Sequence, residues 1–233
     1  ASLPHAGKNV LRVLHVCKTD SLEVELLPKE LARSLLDAAP RPLVVMELVD
    51  KDLQSCFKGA PLQKKLEWCV QLTNAVEKLN TNFVLHKDVK PLNCMVGNDG
   101  RLKLVDFGYA VDLRDEPDRC FITNSGTPRY QPPELFRPKA IQVKRSLAFK
   151  IDIYSLAISI WEIIFDETPF ALATTLPELN EAILSKSFPA SFSLFPESFR
   201  PVIESALSPN PVDRPSHSLI REQLLLWAEQ LQS

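Results

Sequence analysis

The sequence predicts an α+β protein in which a small, β-containing part precedes a larger and mainly helical one. Three observations carry this. Strand-like runs lie before residue 106, helical periodicity takes over from about residue 150, and the stretch between, 112–149, is polar, proline-rich and irregular. A loop that long inside a compact domain is either functional or disordered.

Residues 10–17, VLRVLHVC, are β-branched and apolar with partial alternation, which predicts a strand. Residues 22–37, LEVELLPKELARSLLD, read as helical, with Pro28 at a break or as the first residue of a helix. The run RPLVVMELV, 41–49, follows a proline and predicts a buried strand. Over 62–80, apolar residues fall at Leu62, Leu66, Cys69, Val70, Leu72, Val76 and Leu79, close to the 3.6 period of an amphipathic helix. Short strands are expected at 94–96 and 102–105, joined by the turn signal GNDG. Helices are expected at 150–165, 176–185, 198–207 and 216–231.

Hydrophobic residues at 45% and charged residues at 24% are ordinary for a soluble globular protein. A net charge of −2 and scattered basic residues give no support for nucleic acid or an anionic membrane. No apolar run reaches the roughly 20 residues of a membrane span. The five cysteines, Cys17, Cys56, Cys69, Cys94 and Cys120, form no CxxC pair, so neither a zinc site nor a disulfide framework is expected. Position 1 is Ala, not an initiator Met, so the expectation is either a processed chain or a piece of a longer one, with its targeting information gone.

Chemistry concentrates in LHKDVKPLNCMV, 85–96, and in the carboxylate at 106. Phosphoryl transfer needs a carboxylate to orient or deprotonate the attacking hydroxyl, oxygen ligands for a hard cation such as Mg²⁺, and a cation for the phosphate charge. Asp88 suits the first task, Asn93 and Asp106 the second, and Lys90 the third.

His86-Lys87-Asp88-Val89-Lys90-Pro91-Leu92-Asn93 resembles the protein-kinase catalytic loop, H-R-D-x-K-P-x-N, and Asp106-Phe107-Gly108 resembles D-F-G. GTPRYQPPE, 126–134, is similar to the G-T-x-x-Y-x-A-P-E end of an activation segment. Asp152 opens a stretch similar to the D-x-x-S-x-G helix of that family. NPVDRPS, 210–216, resembles the segment whose Arg pairs with the A-P-E Glu, here Arg214 and Glu134. The motifs occur in family order over roughly 41–231.

The resemblance implies a protein-kinase-like bilobal fold. Residues 1–49 would form a reduced small lobe and hinge, and 50–233 the large lobe, with a catalytic loop at 86–93 and an activation segment at 106–134. It implies His86 as a packing and hydrogen-bonding residue, not a base, and Phe107, Gly108, Thr127, Glu134, Asp152 and Arg214 as structural. Lys90 and Thr127 look like the Ser/Thr type, and Tyr130 like a packing residue. Lys87 stands where the family has an Arg that receives an activation-loop phosphate. Lys lacks the bidentate fork, so phospho-activation is less expected, although Thr123 and Ser125 are available.

The small lobe departs from the family. Its G-x-G-x-x-G loop covers the ATP phosphates, yet residues 1–40 contain only Gly7. That loop is absent, truncated or omitted. Lys18 in HVCK would be the strand lysine that holds the α/β-phosphates, with Glu30 as its partner and Glu25 and Glu23 behind it. Met46 would be the gatekeeper, and the backbone of Glu47 to Val49 would face adenine. A kinase without this loop resembles the secreted with-no-Gly-loop kinases of apicomplexan parasites, related to the rhoptry kinases. That group includes active enzymes and pseudokinases, and implies export into a parasite vacuole or cyst wall.

Two functions of different classes follow. One is a Ser/Thr protein kinase using ATP and Mg²⁺ on protein hydroxyls. The other is a pseudokinase scaffold that binds a protein partner. The chain predicts no oligomeric state.

Overall fold

A computed structural model describes residues 9–18, 42–49, 51–136, 139–188 and 190–232. The helix expected over 22–37, the candidate partner Glu30 and the alternatives Glu23 and Glu25 lie outside the described residues.

Strand β1 (Val13–Lys18) pairs antiparallel with β2 (Pro42–Met46), with Val13 opposite Met46 and Lys18 opposite Pro42. The segment leading into β1 is clamped on both sides. Leu104 donates to the carbonyl of Asn9 at 2.8 Å, and Leu11 donates to the carbonyl of Leu104 at 3.0 Å. Glu47 N–H bonds the carbonyl of Arg12 at 3.0 Å.

A three-stranded sheet lies in the order β3 (Lys51–Asp52), β5 (Cys94–Val96), β6 (Leu102–Leu104). GNDG closes the β5–β6 hairpin through Gly97 N–H to Arg101 O and Gly100 N–H to Gly97 O, both 2.9 Å. Gly100 takes φ 73°, which glycine adopts without a Cβ penalty. A second small pair joins β4 (Val84–Leu85) to β7 (Val111–Asp112).

The helices build the core. Asp52 caps α1 (Leu53–Phe57) through Ser55 N–H. In α2 (Leu62–Thr81) five of the seven predicted stripe residues, Leu66, Cys69, Leu72, Val76 and Leu79, are buried, and Leu62 and Val70 are partly buried against them. It packs in one cluster with α4 (Lys150–Phe165), α5 (Leu176–Leu184), α6 (Arg200–Ala206) and α7 (His217–Gln230). Helix α4 is buried from Ile151 to Ile164, polar residues included. It is therefore the central helix, and its polar side chains must find partners inside the protein. At its C-terminus Lys65 Nζ donates to the carbonyl of Ile164 (3.1 Å) and to Asp166 (2.7 Å), a cation against the negative end of the helix dipole.

The stretch 112–149 is more ordered than its composition predicts. Strand β8 (Arg119–Ile122) pairs antiparallel with β9 (Ile141–Lys144), and a short helix, α3 (Arg145–Ala148), follows. Cys120 and Ile122 turn into a second apolar cluster with Leu85, Leu113, Leu135, Ala148 and Ile151. Each strand is only four residues long. Their pairing is non-local, with eighteen residues between the strands in place of a short hairpin turn, so the local pattern could not reveal it.

Cys56, Cys69, Cys94 and Cys120 are free thiols. Among the described residues no helix is long and apolar enough to cross a membrane.

Candidate active site

One buried carboxylate shapes the catalytic loop. Asp152, fully buried in the first turn of α4, accepts hydrogen bonds from His86 N–H (2.9 Å), Lys87 N–H (2.9 Å) and Asn80 Nδ2 (2.8 Å). These bonds hold Lys87 at φ 67°, a left-handed conformation that costs a non-glycine residue on the order of 1–3 kcal/mol and persists only where its surroundings impose it. Two α4 serines fix the neighbouring backbone. Ser155 Oγ donates to Tyr130 O (2.7 Å) and Ser159 Oγ to Val89 O (3.3 Å).

His86 has no solvent exposure, and burial holds its pKa below the usual value against the pull of Asp152. Its Nδ1 accepts from Asp88 N–H at 3.3 Å. The neutral tautomer that permits this carries its proton on Nε2, which donates to Val105 O at 3.2 Å. The ring also packs on Phe107, centroids 5.2 Å apart. His86 thus links Asp88 to the strand end that carries Asp106.

Asp88 is 3% exposed and is gripped from three sides. Thr127 N–H donates to Oδ1 at 2.8 Å. Lys90 Nζ (2.7 Å) and Asn93 Nδ2 (2.8 Å) donate to Oδ2. Burial alone would raise the Asp88 carboxyl, but the bonds from Lys90, Thr127 and Asn93 together outweigh it and hold the carboxyl below its ordinary value. Asp88 is an ionised, fixed acceptor. Lys90 also bonds the Thr127 hydroxyl, so Thr127 touches both catalytic candidates. Gly126 makes this approach possible: at φ 106°, a Cβ there would stand 2.4 Å from Lys87 O.

The two expected metal ligands are brought together. Val105 N–H bonds Asn93 O at 2.9 Å, placing Asp106 next in the chain. Asn93 Nδ2 is spent on Asp88 O and Oδ2. Its side-chain oxygen therefore has no donor among the described residues. Asp106 adopts φ 60°, and Gly108 N–H bonds its Oδ1 at 3.1 Å. An amide oxygen and a carboxylate fit a hard cation that keeps water and phosphate oxygens as its other ligands. Among the described residues no three His, Cys, Asp or Glu side chains gather into a closed metal site.

The segment end is anchored as well. Arg214, with a fully buried side chain, forms a two-pronged pair with Glu134, both bonds 2.7 Å. It also packs over the Tyr154 ring at 5.3 Å. Tyr130 donates to Glu162 at 2.6 Å, a contact the motifs did not foreshadow. Burial raises Glu162 to about 7, with the Tyr130 bond pulling the other way. The signal was the glutamate itself, set inside an otherwise apolar helix. Arg129 grips the carbonyls of Pro169, Phe170 and Ala173. Beside Pro128 a trough of ≈ 420 Å³ is lined by Asn124, Gln131, Phe136, Leu176, Pro177 and Asn180, without a charged side chain. A larger cavity of ≈ 560 Å³, around Phe170 and Phe188, shares no residue with the catalytic loop.

The nucleotide candidates are less gathered. Glu47 spends its N–H on Arg12 O, and its carboxylate takes Arg12 N–H (2.8 Å) and Lys103 Nζ (3.1 Å). Among the described residues nothing bonds the backbone of Val49. The Met46 side chain is 48% exposed. Lys18 ends β1 opposite Pro42. Four residues along the strand from Met46, that is about 13 Å from the hinge. The Lys18 side chain lies outside the described residues.

A fixed carboxylate, a cation beside it and two hard oxygen donors are the groups that phosphoryl transfer of the kinase type requires. The protein kinase domain model matches residues 8–226, and the chain belongs to that family. It is 30% identical over 186 residues to a Trypanosoma brucei brucei protein named as serine/threonine-protein kinase A, covering 76% of this chain and 42% of that protein. It is 33% identical over 177 residues to a Wee1-like protein kinase of Oryza sativa subsp. japonica, covering 74% and 31%. Against rhodopsin kinase of Rattus norvegicus it is 27% identical over 161 residues, covering 67% and 27%. The chain thus spans less than half the length of these relatives.

Proposed function

We propose that the chain is the phosphoryl-transferring part of a Ser/Thr protein kinase that uses ATP and Mg²⁺ on protein hydroxyls. The observation that carries this is the state of Asp88: ionised, nearly buried and held by Thr127, Lys90 and Asn93. A carboxylate fixed in this way orients an incoming hydroxyl and takes its proton late, with Lys90 beside it to steady negative charge. Asn93 and Asp106 would hold the metal, which when bound neutralises charge on the phosphates. The uncharged trough next to Thr127 supports a polypeptide substrate lying across Pro128. The open Val49 backbone supports adenine at the hinge. For the phosphates, Lys18 and Glu30 remain the proposed pair.

A second reading is a scaffold that binds a partner through the same fold. It is favoured by the nucleotide side, where the Glu47 carboxylate is tied to Arg12 and Lys103 and Met46 is half exposed, because positioning of phosphates supplies most of this catalysis. A narrower place among the with-no-Gly-loop kinases of apicomplexan parasites, and with it a vacuolar or cyst-wall location, is a further proposal, which immunolocalisation in the source cell tests.

Melting with and without ATP·Mg²⁺ separates the two functions. Ligand at about 100 times its Kd stabilises the folded state by roughly 2.7 kcal/mol, so a kinase melts several degrees higher with millimolar nucleotide. Asp106→Ala is expected to abolish that shift. Asp88→Asn is expected to keep it while lowering transfer to a model protein by about 10²–10⁴-fold. No shift at millimolar nucleotide rules out the transferase.

A further inference from the structure

Residues 106–134 flank the site, and their order usually has to come from somewhere: a phosphate, a partner or the chain's own contacts. Among the described residues the chain's own contacts on this segment are extensive. Strand β8 is zipped to β9 over four registered pairs, Arg119–Lys144, Cys120–Val143, Phe121–Gln142 and Ile122–Ile141. Alternation along the strands puts Cys120 and Ile122 on the inner face beside Val143 and Ile141, where they join the second apolar cluster. Arg145 extends the zipper. Its N–H bonds Asp118 O at 2.7 Å, and its guanidinium bonds Glu116 O at 2.9 Å and Arg114 O at 3.3 Å. Beyond β8, Lys87 Nζ bonds the Thr123 hydroxyl at 3.1 Å, Gln131 Nε2 bonds Ser125 O at 2.6 Å, and Thr127 is fixed on Asp88.

Among the described residues the cation bonded to Thr123 is Lys87. A phosphate brings close to two negative charges and three acceptor oxygens, and orders a loop by meeting several cationic donors. Lys87 is buried, and burial lowers its pKa. Two guanidiniums of this region are committed elsewhere, Arg129 to three carbonyls and Arg145 to two.

We propose that residues 106–134 keep their ordered arrangement without phosphorylation, because the β8–β9 zipper and its Arg145 extension supply the anchoring. As a statement about regulation, this rests on reading the segment as the flank of a phosphoryl-transfer site. As a statement about order, it stands on the zipper alone. The regulatory lever would then be whatever separates β8 from β9, not a modification at Thr123 or Ser125.

Amide hydrogen exchange on protein co-expressed with a phosphatase, and shown free of phosphate by intact mass, tests this directly. The amides of Cys120 to Ile122 are expected to exchange at least about 100-fold more slowly than an unprotected peptide. Thr123→Ala with Ser125→Ala should leave those rates within about threefold. Arg145→Ala removes the two guanidinium bonds of the extension, to Arg114 O and Glu116 O, and keeps its backbone bond without emptying the core. It should speed exchange over 114–122 by about tenfold or more while the amides of α4 stay protected. Ile122→Asp should do so more strongly. The proposal is overturned if the phosphate-free segment exchanges like an open loop, or if Arg145→Ala and Ile122→Asp leave its protection intact in folded protein. Kinase assays on the same samples keep the two readings apart. No transfer by any form counts against the transferase, while the exchange rates still decide the zipper.

Discussion

Single atoms decide the geometry around Asp88. Gly126 is the sharpest case, because at its φ of 106° a Cβ would stand 2.4 Å from Lys87 O, which leaves no room for a side chain. Gly126→Ala is expected to cost about 1–3 kcal/mol through backbone strain. It should also lift Thr127 off Asp88, so chemical denaturation and transfer activity should fall together. The candidate residues were legible in the sequence as candidates, because hard oxygen donors, a lysine and a carboxylate are a small vocabulary. What made them a site was not. The Thr127 contacts, the His86 bridge to Val105 and the Tyr130–Glu162 bond are made by backbone groups or by residues far apart in the chain. No local spacing encodes them.

At the scale of elements, the buried helix α4 acts as a rail on which loops are hung. Asp152 takes the catalytic loop, Ser155 and Ser159 take the flanking carbonyls, and Glu162 takes Tyr130. Its sequence reads as an apolar run interrupted by polar residues, and each interruption is a hook. The Glu134–Arg214 pair does the same work at the other end of the segment. Breaking a buried pair by removing one partner leaves an uncompensated charge, so Arg214→Ala should lose about 3–5 kcal/mol. Arg214→Lys should rescue little of it, since one ammonium cannot reproduce two parallel bonds. Urea titration of the three proteins checks both. The helices were legible from their period, and the β5–β6 hairpin from its turn. The β8–β9 pair was not, because strand pairing across eighteen intervening residues is a tertiary event that local alternation over four residues cannot specify.

For the molecule as a whole, buried titratable groups tie stability to pH. Burial lifts Glu162 from 4.5 to about 7. Between these values the folded protein holds a proton that the unfolded chain has released, so this contribution falls as pH rises. It is fully present below 4.5 and gone above about 7, and amounts to roughly 3 kcal/mol at most. His86 and His217 act in the opposite sense. Burial depresses both below 6.5, and unfolded histidines take up protons that the folded ones refuse, so stability drops as pH falls below 6.5. Glu162→Gln isolates the first effect: relative to wild type its melting temperature should be unchanged or lower near pH 5 and higher near pH 8. Parallel curves for the two proteins would mean that Glu162 does not titrate in this range.

The hydrogen bonds to Asp152 also set an order of events during synthesis. They span 65, 66 and 72 residues, and the pair that anchors Glu134 spans 80. On the ribosome the catalytic loop therefore emerges long before the carboxylate that bends it. Glu134 in turn waits for an arginine near the end of the fold. The nascent chain carries every reactive group of the site while none is yet in place, and the site closes only when the last helices dock.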